Sequence, residues 1–126
     1  MSTSHFSVPA TVCLVAERPQ RVVASDAIVA RSFAARIRGL LGRRTLPDGE
    51  AMIFPQCRSI HTVGMRFAID AVFVDQAWRV VALRENLRPG RLVFPVWGAS
   101  SVIELAQGTI GRAELKIGDQ LRVNGS

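Results

Sequence analysis

"RFAIDAVFVD" (66–75), followed by "QA" and then "WRVVALREN" (78–86), is the stretch on which the fold turns. Both arms are rich in β-branched and aromatic residues, and only two residues separate them, so they read as an antiparallel hairpin. Alternation puts Met65, Phe67, Ile69, Ala71 and Phe73 on one face of the first arm. Arg66, Ala68, Asp70, Val72 and Val74 fall on the other. The first set is a core face. The second mixes two charges with small and apolar residues, so it suits the wall of a half-buried cleft or an exposed face with cross-strand charge pairs.

Downstream, "LRPGRLVFPVWGAS" (87–100) is a long connection punctuated by proline and glycine. "SVIELAQ" (101–107) reads as strand, "GTIGRAEL" (108–115) as a turn or short helical piece, and "KIGDQLRV" (116–123) as a tight turn on Gly118 and Asp119 leading into a last strand. Upstream, "AMIF" (51–54) is a short strand stopped by Pro55, and "LPDGE" (46–50) is a turn. "RVVASDAIVA" (21–30) is strand, and residues 1–20 form a loosely ordered lead-in with "TVCLVA" (11–16) as an edge strand.

One helix is predicted, within "SFAARIRGLLGRR" (32–44) and spanning about 32–42. Ser32 suits the N-cap. Phe33, Ile37, Leu40 and Leu41 repeat at the spacing of one buried face, and Gly42 suits the stop. Many short strands with Gly/Pro turns and one helix imply a mostly β (α+β) protein. The expected form is a compact curled antiparallel sheet or small barrel with the amphipathic helix packed against it. The 126 residues suit a single domain, 1–126.

The net charge is +6, and it is concentrated. Residues 18–44 carry seven arginines (Arg18, Arg21, Arg31, Arg36, Arg38, Arg43, Arg44) against one acid, Asp26. Such a segment can attract nucleic acid, anionic lipid or an acidic partner. However, all but one of the 16 basic residues are Arg, a skew typical of genome-wide codon bias, and the eight aromatics include no Tyr for base stacking. Nucleic acid is therefore not the expected partner. Cys13 and Cys57 are too few for a disulfide framework and read as two free thiols. No run approaches the ~18 apolar residues of a membrane span. "VPATVCLVA" (8–16) has no Lys or Arg before it, unlike a secretory signal. The expectation is a cytoplasmic protein with no membrane partner.

The richest chemistry lies in "CRSIHTVGMRFAIDAVFVD" (57–75). Cys57, His61 and Met65 are spaced by four, and all three can ligate soft metals. On a strand, residues four apart lie about 13 Å from one another, whereas ligands sit about 2.0–2.3 Å from an ion. No metal site and no cofactor are predicted. Two further polar residues sit in apolar settings: Glu104 between Ile103 and Leu105, and Arg38 between Ile37 and Gly39. They suit either a buried ion pair or ligand anchors.

Five ordered blocks then resemble a bacterial and archaeal family known as domain of unknown function 192. They are "RGLLGR" (38–43), "GEAMIFP" (49–55), "IHTVGMRFAIDAVFVD" (60–75), "VIELAQGT" (102–109) and "LKIGDQL" (115–121), covering roughly residues 30–123. Met65, Ile69 and Asp70 match the central block, and Arg38, Gly39 and Leu40 the helix block. Glu104, Gly108, Gly118 and Asp119 match the later ones. Ala51 and Ala68 depart from the Gly and Pro that members more often resemble there. The resemblance implies a compact β-rich single domain and brings no reaction with it. Some relatives resemble exported proteins, but no such signal is read here.

Three functions follow from these residues. The leading one is a small binding module with a polar cleft on segment 57–75, its anchors His61, Arg66 and Asp70 with Arg38 and Glu104, and a small polar or anionic ligand. The second is a small hydrolase-type enzyme that uses His61 with Asp70, or Cys57 as nucleophile. The third is an interaction protein that docks nucleic acid or an acidic partner through residues 31–44. Trp97 is either a core plug or an exposed docking residue.

Overall fold

The structure, a computed structural model, describes residues 11–30 and 45–125. The helix expected over residues 32–42 lies outside the described residues. Nine strands and one helical turn carry the described fold. They are β1 (Thr11–Ala16), β2 (Arg21–Val29), β3 (Glu50–Pro55), β4 (Ile60–His61), β5 (Ile69–Val74), β6 (Val80–Leu87), β7 (Leu92–Val93), β8 (Ser101–Ala106), α1 (Thr109–Arg112) and β9 (Leu121–Gly125).

β5 and β6 form the predicted hairpin, antiparallel, with Val72 opposite Leu83 and Phe73 opposite Ala82. Its turn is longer than two residues. Asp75 Oδ1 accepts the N–H groups of Ala77 and Arg79, both at 2.9 Å, so the carboxylate wraps the chain around itself. β5 starts at Ile69 rather than at Arg66, because Gly64, at φ 88°, turns the chain first.

Seven strands make one mixed sheet in the order β6-β5-β8-β3-β2-β1-β9. All neighbours are antiparallel except β2 and β3, which run parallel with Ala27 opposite Ala51. "TVCLVA" is a strand but not an edge, because β9 pairs along its outer side. The edges of the sheet converge at one end only. There Val80 N–H donates to Asp119 O at 2.9 Å, and Leu121 N–H to Trp78 O at 2.9 Å. A single bridge, Arg79 to Gln120, marks the contact, and the sheet is not closed. The small-barrel expectation is thus corrected: a seam of this length leaves the rest of β6 and β9 as separate edges.

Convergence explains two cores. The inner one gathers Leu14, Val23, Ile53, Val72, Val74, Ile103, Leu105 and Leu121, with Ile110 and Leu115 from the α1 region. The outer one gathers Met52, Phe54, Ile69, Ala71, Phe73, Val102 and Ala106. Successive residues of β3, β5 and β8 go to opposite cores, so these central strands are buried on both faces. The outer core is roofed by β4 and β7, a separate two-stranded ribbon that sends Ile60 inward, with Met65 joining from the segment after β4.

Candidate functional site

Among the described candidate anchors, Asp70 is the most deeply buried. It is 1% exposed and faces the inner side of β5 with Val72 and Val74. Its Oδ1 accepts the N–H of Asn86 at 2.9 Å, and its Oδ2 accepts those of Gly108 at 3.1 Å and Ile110 at 3.0 Å. Gly108 is the N-cap of α1, at φ 91°, and offers no side chain of its own to the helix start. Asp70 therefore caps α1 from a distant strand and ties it to β6, satisfying donors that the helix cannot satisfy itself.

Glu104 lies on the opposite face. It sits on β8 between Met52 and Ala71 of the flanking strands, and shares the outer side with Val102 and Ala106. It is buried and not without a partner. The sheet thus separates Asp70 from Glu104. Arg66 is exposed after the turn at Val63 and Gly64, and Arg38 lies outside the described residues. His61 is exposed on β4 opposite Leu92, so the two side chains share the ribbon's outward face.

Met65 belongs to the outer core, and Cys57 packs against it. The Cys57 thiol donates to Ser59 O at 3.0 Å. Cys13 and Cys57 form no disulfide. Among the described residues no three of His, Cys, Asp and Glu converge as metal ligands. Nor is any helix among them long and apolar enough to cross a membrane.

Thr62, 1% exposed, locks the ribbon to the turn after β6. Its hydroxyl donates to Arg88 O at 2.5 Å and accepts the Arg91 N–H at 2.8 Å, while its own N–H donates to Arg91 O at 2.8 Å. Thr62→Val keeps the shape and removes the hydroxyl. It is expected to cost about 2 kcal/mol, since a buried donor and acceptor lose their partner. Hydrogen exchange should show the loosening first at the Gly90 and Arg91 amides.

Beside the ribbon opens a groove of about 470 Å³ lined by Arg84 and by Leu92 to Trp97. Arg84 is exposed, and Nη1 donates to Leu83 O at 2.9 Å. The groove's apolar wall stands out into solvent: Trp97 is 95% exposed, Phe94 75% and Leu92 61%. Trp97 is therefore no core plug. Sequence reasoning placed the site on residues 57–75 and read residues 87–100 only as a connection. The signal was the density of large apolar residues in "RLVFPVWG" (91–98), too high for a loop chosen only to be soluble.

Fold and face together define a small, open, mixed-sheet β domain with an exposed apolar and basic face. The chain belongs to the DUF192 family, described as an uncharacterized ACR, whose profile matches residues 14–123. It is 33% identical over 97 residues to a UPF0127 protein of Thermococcus sibiricus (strain DSM 12597 / MM 739), across 74% of this chain. The match spans 62% of that relative's length. The fold is shared with a candidate transcription regulator from Sinorhizobium meliloti 1021, at TM-score 0.77 and 19% identity, over 93% of this chain and 97% of that one. It is shared equally with a protein of unknown function from Novosphingobium aromaticivorans DSM 12444, at TM-score 0.76 and 23% identity, over 97% of each chain.

Proposed function

We propose that the protein is a binding module whose recognition face is the outward side of the β4–β7 ribbon and the groove beside it. Its ligand carries an anionic group on an apolar body. One observation carries the reading: a guanidinium, Arg84, shares an open groove with the aromatic and aliphatic side chains of residues 92–97. Arginine supplies fixed charge and forked donors, and the apolar wall supplies area. His61, outward beside Leu92, adds a polar group to the rim. The polar cleft expected on segment 57–75 is thereby moved to the neighbouring loop, because Asp70 and Glu104 are both buried and lie on opposite sides of the sheet.

A hydrolase that orients His61 with Asp70 draws no support from this arrangement. Both Asp70 oxygens already hold backbone N–H groups, and His61 is out on the ribbon. Docking through residues 31–44 falls outside the described residues.

The test uses anilinonaphthalene sulfonate, an aromatic anion whose fluorescence reports binding. The folded protein should bind it saturably. Arg84→Ala should weaken binding about fivefold, the worth of one charge-assisted contact at an exposed, screened site. Unchanged affinity in Arg84→Ala and Phe94→Ala, both folded by thermal melt, would remove the groove from the reading.

A further inference from the structure

Among the described residues, the ribbon and its two flanking turns form a basic surface without acids. Residues 57–66 and 88–97 contain Arg58, Arg66, Arg88 and Arg91 and not one Asp or Glu. All four arginines are exposed, and among the described residues none forms an ion pair. The two segments are one body. Thr62 N–H donates to Arg91 O, Gly90 N–H to Thr62 O at 3.0 Å, and Val96 N–H to Arg58 O at 2.8 Å. The exposed apolar side chains lie on the same body: Val63, at 59%, joins Leu92, Phe94 and Trp97.

We infer that this body docks on an anionic lipid surface, with Trp97, Phe94, Leu92 and Val63 entering the headgroup boundary and the arginines meeting lipid phosphates. The inference rests on the ribbon face being the recognition face, and names its partner. Charge complementarity argues for it: an acid-free, fourfold-positive patch meets a negative surface without internal competition. The apolar residues choose lipid over nucleic acid, because a phosphate backbone offers them nowhere to bury. Tryptophan and arginine suit the interface, the ring amphipathic and the arginine stem lying along apolar surface while its head reaches polar groups. The expectation of no membrane partner rested on the lack of a spanning run, and a surface contact needs none.

The experiment is co-sedimentation with vesicles of phosphatidylcholine containing phosphatidylglycerol, beside vesicles of phosphatidylcholine alone. Tryptophan emission is followed in a Trp78→Phe background so that only Trp97 reports. Binding to the anionic vesicles with a blue shift is expected, weakening as salt rises. Arg88→Gln and Arg91→Gln should each lower partitioning about fivefold, and Trp97→Ala about tenfold. No sedimentation while the arylsulfonate still binds through Arg84 would overturn the lipid partner and leave the groove. Loss of both would remove both readings. Equal binding to uncharged vesicles, indifference to Trp97→Ala, or tighter binding of a DNA duplex through the same arginines would each overturn the inference.

Discussion

Replacing Asp70 with Ala is expected to remove about 4 kcal/mol of folding stability, read as a lower urea midpoint at an unchanged slope. The estimate comes from the three backbone N–H groups that its carboxylate satisfies, on Asn86, Gly108 and Ile110. Left buried without an acceptor, each costs about 1–3 kcal/mol, and water entering the small space offsets part of the sum. That is a large fraction of the roughly 5–15 kcal/mol that holds a typical domain. Asp70→Asn keeps one acceptor oxygen and should cost about half as much. A loss below about 1 kcal/mol for Asp70→Ala would mean that α1 holds its place without this cap.

Phe73→Ala should cost a similar amount, about 4 kcal/mol. Phe73 is fully buried, is the largest of the fully buried side chains among the described residues, and stands on β5 between Val102 and Ala82. Its ring fills the outer core beneath the ribbon, where flanking strands are held on both sides and cannot collapse into the space. Phe73→Leu, which keeps much of the volume, should cost about 1.5 kcal/mol. If both substitutions cost the same, the outer core is loosely packed and the ribbon roofs a softer layer than the burial implies.

The strands were legible because short apolar runs such as "AMIF" and "SVIELA" end at turn residues, and their period is local. The parallel pairing of β2 with β3 was not legible, because strand direction within a sheet is set by the topology as a whole and not by either strand's pattern. Open sheet and closed barrel share the same alternation, and only the short seam between Arg79 and Gln120 distinguishes them. At the site, parity correctly set Asp70 apart from Ile69 and Ala71, with Val72 and Val74. Its role stayed hidden because its partners are backbone amides 16, 38 and 40 residues away, and these carry no side-chain signature. The groove was missed for the opposite reason. Its residues are contiguous, but proline and glycine around them read as punctuation.

The position of β8 has a consequence for synthesis. β8 separates β3 from β5, although both precede it in the chain. A nascent chain that has emerged past Leu87 but not to Ser101 can pair β5 with β6 and begin to assemble β1, β2 and β3. The facing edges of β3 and β5 then stay bare, and both strands are apolar on both sides. Unpaired edges of that kind recruit other chains. The sheet is finished from its middle, so any delay in the arrival of β8 holds open the slot that the folded protein buries most completely.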